Sequence, residues 1–482
     1  MSLHTIVIGC VAFVTVAQTA TSQVTQQSTA SRGILELSSA SSAAKAEFWL
    51  GVDDWQSFSY TSAQRHFDRA IALDPALGLA RVFSAEAAAL LGQPSRSADM
   101  ERGVADATRA STAEGLLALA WREKATGREQ AAATILRSVM DLLPNEPHVV
   151  SEYLWSLSGT DRKAALEVGR AQKTKFPTSG PLSVVISYLL LQAGDTTAAL
   201  AEAERYTQLS PMQPGSFTWY GGLLQERGRY DEAEAQYRRS LTLAPRHADG
   251  TSDGVIALAD LLQLRGNGAA ARQVATEALQ RATSLADSAS YLRVLTGLAL
   301  YAGDMKLAMS TFETLGRVAA PLGNGAGSAA ALMALTNAVF GDGKSVRKYL
   351  SDVHILAPGD TTQVEMWFAG IYAYAGQSDS TLKYAAKLAA RASANPLAGH
   401  VAHFARGQLH LALRQCDKAL EEFRQSDLTW VEVQAGNVEC EMQLGHRAEA
   451  MRWRDRALAK RDLTLFDPGE IHARVRMMQM RF

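Results

Sequence analysis

The segment HVAHFARGQLHLALRQC sets His400, His403 and His410 along one stretch, with Cys416 downstream. Imidazole and thiolate are the ligands zinc prefers, but a zinc site needs three or four of them converging on one point within about 2.3 Å. On a helix His400 and His403 are neighbours one turn apart, whereas His410 lies two turns beyond His403 and cannot join them. The spacing predicts partly exposed helix histidines, not a metal centre. Cys416 and Cys440 form a second pair, 24 residues apart. An oxidising compartment would permit a disulfide between them; two independent reduced thiols are the preferred reading.

Adjacent carboxylates occur at Asp53-Asp54 and Glu421-Glu422. Successive helix positions point about 100° apart, so neither pair faces itself as an acid–base couple. Both are expected as solvated surface charges. The cluster Arg447, Arg452, Arg454, Arg456, Lys460 and Arg461 is interleaved with Glu449 and Asp455 and reads as an exposed helix face. There is no phosphate loop, HExxH, GxSxG or zinc-finger spacing in the chain. GNGAAA at Gly266 and GNGAG at Gly323 are glycine turns with no strand before them. The sequence therefore assigns no catalytic residue, no cofactor-binding residue and no metal ligand.

The elements around these residues belong to a chain of 482 residues, 47% hydrophobic and 20% charged, with a formal net charge of −1. These are globular proportions. The charge balance offers no field for nucleic acid or an anionic membrane surface. Three cysteines exclude a disulfide-dense framework. Thr5 to Ala17 is an apolar run of 13 residues, too short for the roughly 20 that span a bilayer. Small residues follow it, so residues 1–20 read as a signal peptide, with His4 the only basic candidate ahead of the run. A buried first helix is the other reading. Export to the periplasm or beyond is expected, with no membrane span after cleavage, and a lipid anchor on Cys10 is not. Residues 21–42, rich in Ser, Thr, Ala and Gln, read as a flexible linker, and regular structure is expected over 43–482.

Prolines punctuate that region at Pro144, Pro177, Pro211 and Pro245, spaced 33, 34 and 34 residues apart, with Pro75 another 69 upstream. Each ends an amphipathic run, because proline cannot continue a helix. A finer pattern repeats inside the units. Gly51, Ala63, Phe67, Ala70 and Pro75 stand at offsets of 12, 4, 3 and 5. The same offsets join Gly221, Ala233, Tyr237, Ser240 and Pro245; Ala120, Ala132, Leu136, Val139 and Pro144; and Ser187, Ala199, Ala203, Tyr206 and Pro211. Small residues at the first two positions let two antiparallel helices approach closely. Gly127, Gly194 and Gly228 fall where a turn needs the left-handed conformation. The stretch from Gly78 to Ser111 departs most from the pattern.

These residues resemble the tetratricopeptide repeat (TPR) family. The clearest unit runs from Pro214 to His247, with Tyr220-Gly221, Gly228, Tyr230, Ala233, Tyr237 and Pro245; TSAQRHFDRAIALDP is nearly as close. The resemblance extends with decreasing clarity over about 440 residues. It implies an all-α, right-handed α-α superhelix (a TPR solenoid) of about 11–13 helix pairs. Phe466 to Met480 is expected as a C-terminal capping helix over the last apolar face.

By the family's register, the first helix of each pair lines a concave face. That places Trp121, Tyr188, Tyr291, Tyr301, Trp367, Tyr374 and Phe404 inward, with Lys124, Gln225, Asp260, Gln263 and Gln408 as polar exceptions. The same aromatics also suit the packing between repeats. A lysine–asparagine carboxylate clamp is not recognisable. The resemblance implies a non-enzymatic scaffold for a protein or peptide partner, without a cofactor. A ligand-responsive regulatory module and a glycan-acting α/α-toroid enzyme are the other readings; the second needs a pair of inward carboxylates, and Asp260 alone is placed inward.

Overall fold

The computed structural model describes residues 33–482 except 92, 94–95, 244–251, 323–324, 342–345, 357–360, 394, 460–464, 466 and 481–482. The expected signal peptide and Cys10 lie outside the described residues, as do Pro245 and Pro358. Among the described residues there are twenty-five helices and no strand. They alternate as antiparallel pairs, twelve in number, followed by one terminal helix. The all-α tandem-pair class and the range of pair numbers read from the sequence are both found.

The chain divides into two compact units. The first comprises residues up to Val52, Arg65–Glu86 and Ser97–Leu209; the second comprises Asp53–Gln64, Ala87–Arg96 and Ser210–Phe482. The division cuts through the first helices, α1 (Ser42–Gln56), α2 (Tyr60–Leu73) and α3 (Gly78–Leu90).

In the first unit, α5 (Thr112–Ala125) pairs with α6 (Glu129–Leu142), α7 (Pro147–Ser158) with α8 (Arg162–Lys175), and α9 (Gly180–Gln192) with α10 (Thr196–Leu209). The repeating offsets mark the buried seam of each pair: Ala120, Ala132, Leu136 and Val139 are all fully buried, as are Ser187, Ala199 and Ala203. The turn glycines behave as their positions require, with φ of 73° at Gly127 and 81° at Gly194. The aberrant pair, α3 with α4 (Ser97–Ala110), makes its close approach elsewhere: a Cβ on Gly103 would stand 2.9 Å from the Gly78 carbonyl oxygen.

The expected linker is packed from its last third onward. Gly33 to Ser41 pack against the first unit without regular secondary structure, with Leu35, Leu37 and Ser39 buried. Buried carboxylates receive its main chain: Leu35 N–H donates to Glu146 Oε2 at 3.1 Å and Ser38 N–H to Glu114 Oε1 at 2.8 Å. The Asn145 N–H donates to the Gly33 carbonyl at 2.8 Å. A low-complexity composition did not disclose the alternation of leucines that buries one edge of this strap.

In the second unit the pairs are α11 (Pro214–Glu226) with α12 (Tyr230–Leu243), α13 (Ser252–Leu264) with α14 (Gly268–Arg281), and α15 (Leu285–Tyr301) with α16 (Met305–Ala319). They continue as α17 (Gly325–Phe340) with α18 (Val346–Leu356), α19 (Thr361–Tyr374) with α20 (Ser378–Ala389), α21 (Pro396–Ala412) with α22 (Cys416–Gln425), and α23 (Val431–Gln443) with α24 (Arg447–Leu458). First helices also stack on first helices, α19 on α21 and α21 on α23. The terminal helix α25 (Pro468–Gln479) joins the cluster of Val431, Val438, Ala450 and Ala457, as an end cap should. It also reaches beyond the last pair, onto α15 and α17.

Candidate functional site

Four first helices of the second unit (α17, α19, α21 and α23) and α25 line a half-open cavity of about 360 Å³. Tyr374 of α19, Gln408 of α21, and Glu432 and Glu439 of α23 line it, and His472 and Arg476 of α25 line it from the other side. Glu432 and Glu439 are seven residues apart, two turns, which puts them on one helix face. The volume is that of a small-ligand or side-chain pocket.

The electrostatics follow from enclosure. Burial holds the Tyr374 phenol well above its ordinary range, and Glu432, Asp467 and Glu439 add to this. Burial also raises Glu439, against the pull of Arg476, whose Nη1 stands 2.8 Å from Glu439 Oε1. Burial pushes His472 down to about 4, and Arg476 adds to that. The site can hold a cationic or hydrogen-bonding side chain. It offers no free acid–base couple at Glu439, which is already ion-paired.

Of the seven aromatics placed inward, three are core. Trp121, Tyr291 and Phe404 are 2%, 4% and 8% exposed, so they present no surface to a partner. Trp121 packs on Phe83 at 4.8 Å between ring centroids, with the Lys124 ammonium 3.8 Å from its ring centroid, and Phe404 packs on Tyr374 and Trp430. Trp367 packs beside the cluster of Phe368 and Ile371. Tyr188 packs at a tilt against Trp155 and is half-buried. Tyr301 and Tyr374 are the two that meet a helix across the face of the first helices, and that helix is α25. Ile471 packs in the cluster that Tyr301 flanks, and Asp260 acts on the same phenol. Asp260 is therefore joined by Glu432 and Glu439 as inward acids, which the register had not marked. Their spacing of seven along a first helix was the signal, masked by a sequence that alternates VEVQAGNVECE.

The other motifs scatter. His403 Nδ1 lies 2.8 Å from Glu422, His410 Nδ1 lies 3.0 Å from Gln415, and His400 stands against Trp430. Among the described residues no group of His, Cys, Asp or Glu could hold a metal ion. Cys416 and Cys440 are free and buried in one cluster, Cys416 Sγ donates to Gln443 Oε1 at 3.4 Å, and burial, with Cys416 beside it, raises the Cys440 thiol. The Asp53-Asp54 pair is not wholly surface charge: Asp54 is buried, and burial together with Asp54 pushes Asp53 up to about 6. Among the described residues no helix is long and apolar enough to cross a membrane.

The pair α11 and α12 has the most regular seam. The Tyr237 ring closes over Gly221, and its hydroxyl donates to Gln225 Oε1 at 3.0 Å. Residues 215–247 match the Tetratricopeptide repeat family. The TPR match falls on the unit whose glycine, tyrosine and alanine positions are most regular. Among solved structures, a thermophilic TPR protein of Thermus thermophilus aligns at 21% identity over 37% of this chain and 97% of that one, with a TM-score of 0.32. PilF of Pseudomonas aeruginosa aligns at 18% identity over 45% and 93%, TM-score 0.34. A tetratricopeptide repeat protein of Parabacteroides merdae aligns at 14% over 58% and 94%, TM-score 0.33. Comparison with curated proteins gives no match.

Proposed function

We propose that the chain is a non-enzymatic scaffold that binds a protein or peptide partner along the first helices of its second unit. The observation that carries this reading is the cavity of about 360 Å³ lined by Tyr374, Gln408, Glu432 and Glu439. Rigid aromatic and acidic side chains brought to one face suit a helical or extended segment, where large contact area comes at low entropic cost. An enzymatic reading would need a free couple of carboxylates, and Glu439 is engaged by Arg476. Export to the cell envelope is part of the proposal and rests on the apolar run Thr5 to Ala17.

The test compares capture by variants. Glu432→Lys reverses a charge in the cavity, and Arg238→Ala removes an exposed charge on the second helix α12. Partners retained by wild type and Arg238→Ala but lost by Glu432→Lys, at unchanged melting temperature, identify the face. The same captured set from all three proteins would remove the binding face from this site. Fractionation of the native cell, with protease protection, checks export.

A further inference from the structure

We propose that α25 is a displaceable occupant of a helix-binding groove, and that the groove takes in trans a partner's amphipathic helix carrying an aliphatic stripe and an arginine directed at Glu439. This rests on the scaffold reading above and names its partner class and its control.

The first argument is placement. A structural end cap needs only the last pair, yet α25 lies on α23 and on α15 and α17 as well. Pro468, Ile471, Arg474 and Met477 recur at a spacing of three and are buried, together with Gly469, Glu470 and Ala473 around them. That is how an amphipathic helix seats in a hydrophobic groove, its anchors repeating at three- and four-residue intervals.

The second argument is charge. Arg476 reaches Glu439 across the helix boundary at 2.8 Å, while remaining half exposed at 51%. Glu432 stands beside the N-terminus of α25, its Oε1 3.5 Å from where a Cβ on Gly469 would be. Arg293 is the cation on the groove's opposite wall, near Ile471. Acidic groups on α23 therefore select for a helix with an arginine at the Arg476 position.

The third argument is imperfect fit. The pair Glu470–Arg474 is buried at 9% and 3% exposure, joined at 2.9 Å. Desolvating such a pair offsets much of its attraction, and an apolar pair of equal volume would commonly be more stable. Beside α25 the half-open cavity lined by Tyr374, Glu432 and Glu439 leaves space that a longer side chain on a partner helix would fill. A partner helix that fills it and brings fewer buried charges would out-compete the resident.

The seat itself supplies a selective handle. Any side chain on Gly297 would collide first with the carbonyl oxygen of Leu465, in the chain leading to α25. Gly297→Ala therefore evicts the tethered helix and leaves the groove available to a free peptide that begins at Asp467.

The probe is a fluorescein-labelled peptide of residues 467–482, added to full-length wild type and to full-length Gly297→Ala, and read by anisotropy. Trypsin cleavage after Arg474 and Arg476 reports release of α25, and circular dichroism reports the fold. Binding to Gly297→Ala should be at least about tenfold tighter than to wild type, because the resident no longer competes. A peptide with Arg476→Glu should lose about tenfold, and Glu439→Arg on the Gly297→Ala background should restore it. Ile471→Asp, which weakens α25 without touching the groove, is the second route should Gly297→Ala fail to fold. Release of α25 without peptide binding overturns the proposal, as does resistance of α25 to release in both variants. In either case a persisting capture difference for Glu432→Lys leaves the scaffold reading standing, whereas peptide binding with no such difference removes the scaffold reading alone.

Discussion

The ring of Tyr237 on α12 closes over Gly221 on α11 so tightly that a Cβ on Gly221 would stand 2.6 Å from Cε1 of the tyrosine. Gly51 under Phe67 and Gly407 under Phe423 repeat this relationship, each at 2.5 Å. The aromatic occupies the volume a side chain would take, and the helices approach across it. Gly221→Ala should therefore lower the denaturation midpoint of the second unit, since overpacking typically costs about 1–3 kcal/mol and outweighs alanine's better helix propensity of about 1 kcal/mol. Gly222→Ala is the control: its nearest neighbour is Tyr237 Oη at 3.9 Å. It should be neutral or slightly stabilising. Equal loss from both would mean that backbone freedom, not ring contact, sets the glycine.

The inward aromatics separate by burial. Phe404 is in the core with Phe423 and Val433, so Phe404→Ala leaves a cavity and should cost about 3–5 kcal/mol. Tyr188 is half-buried beside Trp155, and Tyr188→Ala should cost markedly less. Urea titrations of the two variants check the order. A reversal would place Tyr188 in the core and free Phe404 for a partner.

His148, on α7, is packed against Trp49 of α1, and burial pushes its pKa down to about 4 from an ordinary 6.5. A depressed folded-state value means that protonation disfavours the fold. The neutral ring's contribution is complete above about pH 6.5 and is lost as pH falls toward 4. Neighbouring Glu146 is raised by burial and works in the opposite sense, so the comparison must cancel it. His148→Asn should make the first unit less sensitive to acid between pH 6.5 and 4.5 than wild type, read as the slope of melting temperature against pH. Parallel slopes would show that His148 titrates normally.

Cys416 and Cys440 meet where α22 packs on α23, and burial raises the Cys440 thiol. Thiolate is the reactive form, so both should resist an aromatic disulfide reagent in the native protein and react at once in denaturant. Rapid native labelling of Cys440 would show that α23 opens locally.

What the sequence disclosed and what it withheld divide along a physical line. Helix pairs were legible because their seam repeats at offsets of 12, 4 and 3, and Ala63, Phe67, Ala233 and Tyr237 need only their own pair to be explained. The turn glycines were legible because positive φ excludes most other residues; Arg414, at φ 57°, takes the same place without the residue type and marks the limit of that signal. The groove was half legible. Register put Tyr301 and Tyr374 on the side that meets α25, but it gave Trp121 and Phe404 the same standing, because periodicity fixes a side of a helix and not its depth. Glu439 needed its partner Arg476, which comes from a separate element 37 residues on and obeys no repeat.

The strap over the first unit is the other feature that obeys no repeat, and it is held through its main chain. Glu146 and Glu114 accept the N–H groups of Leu35 and Ser38, while the side chains of Leu35 and Leu37 are buried. Hydrogen bonds to charged groups contribute about 1.5–3 kcal/mol each, and an N–H left without its carboxylate returns to water when the strap lifts. Glu146→Ala and Glu114→Ala should therefore expose the amides of Leu35 and Ser38 to hydrogen exchange. Fully buried seam amides such as Leu136 and Val139 should keep their protection. Leu37→Asp should produce the same exchange pattern by the other route, through the apolar edge of the strap. Retained protection at Leu35 in the Glu146→Ala, Glu114→Ala double variant would show that the leucines alone hold the segment, and that the carboxylates serve only the helix termini on which they stand.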